Sequence, residues 1–314
     1  MIKYCWLLIN FYYIFRGVVG LFNKKQTNID MNNLPYHIAF IIDGNGRWAK
    51  SKGLSRKFGH KVGVKKIEET INNCLELGIK EISFYCFSTE NWNRPKQEID
   101  TIFELLEMFL SKNLDDYVQK GVKVYTCGDI SKFGDSLKNK MLAMVEQTKN
   151  NDKIKVNICL NYGGRAEIVR AVNNIIKDGV KQVDENSFKD YLYTKEFSDP
   201  DLIVRTSGEF RISNFMLYQL AYTEFYFPKV LWPDFNKKEL LLAISSFQSR
   251  KRRFGSIKEW NETESNNRCV YCSRTCNFYC SKTTKHIYFW CFNRSNLRLL
   301  RFWSKQGVKQ CKIL

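Results

Sequence analysis

The chain has 314 residues, 44% of them hydrophobic and 26% charged, with 50 Lys and Arg against 32 Asp and Glu. That apolar fraction excludes a wholly disordered chain, and the length suits one large domain or two small ones. The net charge of +18 calls for anionic partners, whether nucleic acid, an anionic membrane surface or phosphorylated small molecules. Residues 1–30 hold four basic residues and one acidic, and residues 263–314 hold ten and one, leaving 36 and 30 for 31–262. The middle of the chain is therefore only +6, which argues against a nucleic-acid-binding domain there.

Residues 4–22 form an apolar stretch of 19 residues broken only by Asn10 and Arg16. Arg16 at a bilayer centre would cost about 2.5–3.5 kcal/mol. Seven aromatic rings in the stretch favour the headgroup interface, with Lys24 and Lys25 beside it for anionic lipid. Residues 1–30 are thus expected to form a membrane-interface or anchoring segment. A true span, a cleaved signal peptide and a helix packed on the domain are the alternatives.

From residue 31 onward, short β-branched or aromatic runs alternate with segments of helical period. His37–Asp43, Glu81–Phe87, Val122–Cys127, Lys155–Asn161 and Leu202–Arg205 read as strands, several apolar on both faces like strands of a buried parallel sheet. In 61–78, Ile67, Ile71, Cys74 and Leu75 recur at helical spacing and Gly78 closes the helix. In 98–110, Ile99, Ile102, Phe103, Leu106 and Leu110 make an apolar face widened by Leu105 and Phe109. Further helices are expected near 135–149, 164–177 and 237–253. Strand and helix in alternation define an α/β domain with a central, mainly parallel sheet flanked by helices, one domain over 31–260.

Cys5, Cys74, Cys86, Cys127 and Cys159 are scattered singly and read as small hydrophobes of a reduced compartment. The other six cysteines crowd the end of the chain as Cys269-x2-Cys272-x3-Cys276-x3-Cys280, followed by His286, Cys291 and Cys311. A zinc site is conceivable there, but the run has a single well-spaced ligand pair and no periodicity. Residues 261–314 are expected to form a basic, cysteine-rich extension with little regular structure.

Open parallel sheets place their functional loops at the carboxyl ends of the strands. The first strand ends in Asp43-Gly44-Asn45-Gly46-Arg47-Trp48, the second in Ser88-Thr89-Glu90-Asn91-Trp92-Asn93-Arg94, and the fifth runs from Arg205 through Ser213-Asn214. Asp43 precedes glycines that permit close backbone approach to an anion, and a carboxylate beside a phosphate cradle calls for Mg²⁺. Arg47, Arg56 and His60 add positive donors. Arg205, Arg211 and Ser213 form a second anion-binding set, since Arg forks match phosphate oxygens. Two such sets imply two phosphorylated substrates or one with two ends. Ser88 and Asn91 suit orientation of a proton transfer or a diphosphate, whereas Trp92 is expected to pack the loop. The wide apolar helix faces are either ordinary core or the wall of a channel for a long hydrocarbon.

These residues resemble the motifs of the cis-prenyltransferases, a family that includes undecaprenyl diphosphate synthase and dehydrodolichyl diphosphate synthase. The first motif is His37-Ile-Ala-Phe-Ile-Ile-Asp43-Gly-Asn-Gly-Arg47-Trp-Ala. Phe58-Gly59-His60-Lys61-x-Gly63, Phe87-Ser88-Thr89-Glu90-Asn91-Trp92-x-Arg94-Pro95 and Asn161-Tyr162-Gly163-Gly164-Arg165 follow in order. Asp199-Pro200-Asp201-Leu202, Arg205-Thr-Ser-Gly-Glu209-x-Arg211-Ile-Ser213-Asn214-Phe215 and Tyr222-Thr-Glu224-Phe-Tyr-Phe complete the series, which ends at Arg253-Phe254-Gly255.

The resemblance implies a parallel sheet flanked by helices with a hydrophobic tunnel for the growing chain. It implies repeated condensation of isopentenyl diphosphate onto an allylic diphosphate, commonly farnesyl diphosphate, to a long-chain polyprenyl diphosphate. By similarity Asp43, His60, Ser88 and Asn91 stand at the reacting centre, with Asp43 and Glu224 at Mg²⁺. Gly44, Asn45, Gly46, Arg47, Trp48, Arg56 and Arg94 match positions around the allylic diphosphate. Arg205, Glu209, Arg211 and Ser213 match those around isopentenyl diphosphate, joined by Arg253 and Gly255 of an R-x-G element that reaches across a homodimer interface. No catalytic Ser or Cys is required, because the nucleophile is an alkene. With the apolar N-terminus, the family suggests an enzyme at the cytoplasmic face of the endoplasmic reticulum that supplies dolichol for protein glycosylation. A noncatalytic scaffold of the same fold should lack phosphate ligands, yet Asp43, Arg47, Arg205 and Arg211 are all present. A zinc-dependent nucleic-acid-binding protein conflicts with the near-balanced middle of the chain.

Overall fold

A computed structural model describes residues 29–250, Arg252 and, as backbone, four strands between 277 and 313. The chain divides into two compact units, Met1–Arg252 and Arg253–Leu314.

The first unit is built on six strands in the order β3-β4-β2-β1-β5-β6, with every neighbouring pair parallel. They are β1 (His37–Ile41), β2 (Glu81–Ser88), β3 (Val122–Cys127), β4 (Ile154–Tyr162), β5 (Leu202–Arg205) and β6 (Glu224–Tyr226). All five residues of β1 are buried, which is why its sequence is an unbroken apolar run after His37. Because β1 lies between β2 and β5, the carboxyl ends of these three strands stand side by side. β6 escapes a reading by periodicity because three residues are too few to show one; pairing of Leu202 with Glu224 and Val204 with Tyr226 fixes it on the edge.

The helices are α1 (Asn45–Ser51), α2 (Arg56–Leu77), α3 (Lys96–Lys120), α4 (Asp135–Thr148), α5 (Gly164–Lys177), α6 (Glu185–Lys189) and α7 (Lys237–Gln248). α2 begins five residues before the expected start because Ser55 caps it, its side chain accepting from the Phe58 N–H. The first turns, Arg56-Lys57-Phe58, carry too few apolar residues to announce the helix. α3 runs ten residues past its expected end, its buried face continued by Asn113 and Tyr117 before Gly121 closes it in the left-handed region at φ 75°. α7 stops at Gln248 rather than 253.

One face of the sheet packs against α2, α3, α4 and α7 around Phe40, Phe84, Trp232 and Phe235. Trp232 is completely buried, stacks on Phe235 at 5.4 Å and donates its indole N–H to the Gly63 carbonyl at 2.9 Å. The opposite face gathers Ile41, Tyr85, Cys159, Tyr162 and Phe215. Cys74, Cys127 and Cys159 are buried and Cys86 is half-buried, all as free thiols, and burial pushes the Cys86 thiol up to about 12. The apolar stretch 4–22 and Cys5 lie outside the described residues, and no helix among those described is long and apolar enough to cross a membrane.

The second unit holds β7 (Asn277–Thr283), β8 (His286–Asn293), β9 (Asn296–Lys305) and β10 (Val308–Ile313), an antiparallel meander in the order β10-β9-β8-β7. Where little regular structure was expected, the structure therefore places strands. β8 is a nearly unbroken apolar and aromatic run and β9 sets Arg298 and Arg301 among Leu, Phe and Trp, so no clean alternation reveals the strands although β-favouring residues are plentiful. Cys269, Cys272 and Cys276 of the cysteine cluster lie outside the described residues.

Candidate active site

The loop after β1 is held from behind by its own backbone. The Asp43 carbonyl accepts from the Thr206 hydroxyl at 2.7 Å, the Ser207 hydroxyl at 2.8 Å and the Trp232 N–H at 3.0 Å. Gly44 then turns the chain into α1 at φ 113°, and a Cβ there would stand 2.5 Å from the Ser207 oxygen. Only glycine satisfies both constraints.

So anchored, the Asp43 side chain bridges two arginines. One carboxylate oxygen meets Arg47 at 3.1 Å and the other meets Arg205 at 3.0 Å. Arg205 is 4% exposed and donates to the Ser213 hydroxyl at 2.7 Å and the Arg211 carbonyl at 2.5 Å, while its Nε is buried without a partner. Arg47 continues to Glu209 at 2.8 Å, and Glu209 in turn holds Arg211 at 2.5 Å. The Arg211 hydrogen bond is the largest influence holding the Glu209 carboxyl below the usual range.

A second carboxylate organises the other side of the opening. Glu98, in the first turn of α3, meets Arg56 at 2.7 Å, Arg94 at 3.2 Å and His60 at 3.4 Å. Burial works against ionisation of Glu98, yet these cations together hold its carboxyl below the ordinary value. Burial is also the main reason the His60 imidazole lies below its usual value, with Arg94 and Arg56 adding to that and Glu98 opposing it. Between β2 and α3, the Ser88 N–H donates to the Asn91 side-chain oxygen at 3.1 Å. Trp92 packs against Phe87, Phe103 and Phe133 and donates to Asn161, so it braces this loop as expected.

Asp43, Gly44, Asn45, Gly46, Arg47, Arg56, His60, Ser88, Asn91, Arg94, Arg205 and Ser213 line one cavity of about 390 Å³. Its mouth is polar and its floor apolar, made by Val64 and Ile67 of α2 with Ile102, Leu105 and Leu106 of α3. The widened apolar face of α3 is thus partly cavity wall. Glu209 and Arg211 stand just outside, tied in through Arg47 and Arg205. Trp48 is turned away, stacked on Phe58 and hydrogen-bonded to Asp234 at 2.8 Å. Glu224 is not brought to Asp43 within the chain. It pairs with Leu202 at the start of β5, whereas Asp43 meets Arg205 at its end, and its carboxylate is engaged by Arg250 at 2.6 Å. Arg253 and Gly255 lie outside the described residues.

Sequence reasoning missed Glu98 and Tyr85. An acidic residue in a first helical turn ordinarily reads as a partner of the helix dipole. Tyr85 reads as strand core, and its ring does stack on Phe215 at 4.4 Å, but its hydroxyl lies 3.3 Å from the Ser213 carbonyl and it lines the cavity. For Mg²⁺, the donor set fits. A half-exposed carboxylate at the mouth, with anion-binding arginines around it, is what an ion shared with a diphosphate requires. The Asn45 side-chain oxygen, buried against Gly63 of α2, has no hydrogen-bond partner.

A doubly flanked parallel sheet whose strand ends carry two arginine sets over an apolar floor defines a class of enzyme that handles diphosphates with hydrocarbon tails. The family profile described as putative undecaprenyl diphosphate synthase matches residues 41–255, and the chain belongs to this cis-prenyltransferase family. An isoprenyl transferase of Fusobacterium nucleatum is 48% identical over 226 residues, covering 72% of this chain and 98% of that protein. The ditrans,polycis-undecaprenyl-diphosphate synthase ((2E,6E)-farnesyl-diphosphate specific) of Pasteurella multocida is 45% identical over 240 residues, covering 74% of this chain and all of its own length (100%). Lavandulyl diphosphate synthase from Lavandula x intermedia, solved with dimethylallyl diphosphate, is 34% identical with a TM-score of 0.69, over 72% of this chain and 100% of that one. The expected role in dolichol supply and glycosylation finds no support here, because the bacterial relatives point to undecaprenyl instead.

Proposed function

We propose that the protein elongates an allylic diphosphate, with farnesyl diphosphate as the starter, by successive cis condensations with isopentenyl diphosphate to a long-chain polyprenyl diphosphate of the undecaprenyl type. The observation that carries this reading is the position of Asp43, whose carboxylate joins the Arg47 and Arg205 sets above an apolar floor. The farnesyl specificity in the name of the Pasteurella multocida relative and the dimethylallyl diphosphate in the Lavandula structure support the allylic substrate.

In this reading Arg47, Arg56 and Arg94 receive the allylic diphosphate, with its hydrocarbon laid against Val64, Ile67, Ile102, Leu105 and Leu106. Arg205, Arg211 and Ser213 hold the isopentenyl diphosphate so that its terminal alkene carbon faces the allylic C1. The C–O bond breaks, the new C–C bond forms, and a proton leaves the isopentenyl C2. Negative charge accumulates on the departing diphosphate, where preorganised arginines stabilise it at no cost in reorganisation. Asp43 and diphosphate oxygens would hold Mg²⁺, which supplies further neutralisation of that charge. Glu98 with Arg56 and Arg94 keeps one side of the cavity polar, and the apolar floor excludes water from the reactive allylic cation.

A homodimer through Arg253-Phe254-Gly255 and attachment to the cytoplasmic face of a membrane through residues 4–22 complete the proposal. Replacing Asp43 by Ala tests it. Incorporation of labelled isopentenyl diphosphate should vanish while circular dichroism stays unchanged, and undiminished turnover would overturn the assignment.

A further inference from the structure

Among the described acidic residues, Glu98 stands apart by its place in the cavity wall. It is a carboxylate whose side chain is only 11% exposed, it lines the cavity, and three cationic or titratable groups from two places in the sequence converge on it. Arg56 opens α2, His60 lies one turn further along the same helix, and Arg94 ends the loop that precedes α3. Each was expected at the diphosphate or the reacting centre, and among the described residues none is held by another carboxylate. Arg56 is otherwise exposed, its side chain 69% accessible, and the Arg94 side chain is 38% accessible. Left alone, both would extend into solvent.

We propose that Glu98 is the positioning residue of the allylic diphosphate cradle, gathering Arg56, Arg94 and His60 into one constellation before the substrate arrives. The inference rests on the functional reading above and deepens it. Geometry supports the order of events. The Glu98 oxygens divide the work, one meeting Arg56 and the other meeting both Arg94 and His60, so the two guanidinium groups are presented at adjacent points of the cavity wall. Each guanidinium is a fork of five donors, and a single contact leaves the remaining N–H groups for phosphate oxygens. A diphosphate brings more negative charge than one carboxylate, so it completes the arrangement without displacing Glu98. The fixed position of Glu98 comes from α3, whose first turn is anchored by the Glu98 N–H donating to the Pro95 carbonyl at 2.9 Å. When the carboxylate is removed, both arginines must be ordered at the expense of substrate binding.

The test uses the full-length protein, wild type against Glu98→Gln and Glu98→Asp, in two assays. Steady-state kinetics should show a roughly tenfold higher KM for farnesyl diphosphate in Glu98→Gln, with the KM for isopentenyl diphosphate within about twofold of wild type. Glu98→Asp should recover part of the loss, because its charge persists on a shorter arm. Calorimetry with inorganic diphosphate, which needs no turnover, should show the same weakening. Wild-type protein that binds inorganic diphosphate Glu98-dependently but makes no product would overturn the functional reading and leave the cradle standing. An unchanged or lower KM for farnesyl diphosphate in Glu98→Gln, or an equal rise in both KM values, would overturn the role of Glu98.

Discussion

Arg205 and Asp43 meet at 3.0 Å across the gap between the carboxyl ends of β5 and β1, and the arginine is almost fully buried there. A buried guanidinium with one carboxylate, one hydroxyl and one carbonyl is fixed in orientation, and its contacts require a planar fork. Lysine in its place keeps the charge, but its single nitrogen cannot span acceptors that Arg205 meets from two nitrogens. Arg205→Lys should therefore lower kcat/KM for isopentenyl diphosphate by ~100-fold, measured by initial rates at saturating farnesyl diphosphate.

The turn at Gly44 makes a sharper demand. Alanine there must adopt φ near 113° with its Cβ 2.5 Å from the Ser207 hydroxyl, which itself anchors the Asp43 carbonyl. Gly44→Ala should destabilise the fold by about 1–3 kcal/mol and displace Asp43. Chemical denaturation and turnover together check this, and a variant with wild-type midpoint and rate would refute the anchoring role.

His37 supplies a pH signature of stability at the opposite end of β1. It is completely buried, with Nδ1 2.6 Å from the Ser198 carbonyl and Nε2 2.9 Å from the Ser83 hydroxyl. Burial is the dominant influence and pulls its value below the usual one, against the raising influence of the Ser198 carbonyl and of Glu81. An unfolded histidine takes up a proton near pH ~6.5, while the folded one refuses it until lower pH. Stability should therefore fall as pH drops below that point, down to the lowered folded value. Thermal midpoints at pH 7 and pH 5 should differ more for wild type than for His37→Gln, and equal differences would exclude the assignment.

Much of this architecture was legible in the sequence because a buried parallel strand writes itself plainly. His37–Ile41 and Glu81–Ser88 are apolar on both faces, and the polar clusters after Ile41, Phe87 and Val204 stand out against them. What was hidden has physical reasons. β6 depends on pairing with Leu202 and Val204, not on its own three residues. The early turns of α2 are fixed by Ser55 and by Gly59 lying against the Asn45 backbone, where a Cβ would come within 2.2 Å of the Asn45 carbonyl oxygen. Glu98 looked like any acid at a helix start, because two of its three partners, Arg56 and His60, lie about forty residues away on α2. Trp48, adjacent to Arg47, shares its motif but not its direction, because successive helical residues point about 100° apart.

The cavity floor predicts control of the product. Ile102 and Leu106 of α3 are one turn apart and both line it. Ile102→Trp should narrow the apolar path and shorten the polyprenyl product, seen as earlier elution in reversed-phase chromatography, while KM for isopentenyl diphosphate stays near wild type. An unaltered product distribution would show that the chain grows elsewhere.

Two diphosphate sites sharing Asp43 should perform repeated condensation. Purified full-length protein incubated with farnesyl diphosphate and labelled isopentenyl diphosphate, with the products resolved by chain length, addresses this directly. A ladder of intermediates ending in a long-chain polyprenyl diphosphate is predicted, and either no transfer of label or a halt after a single condensation would contradict it.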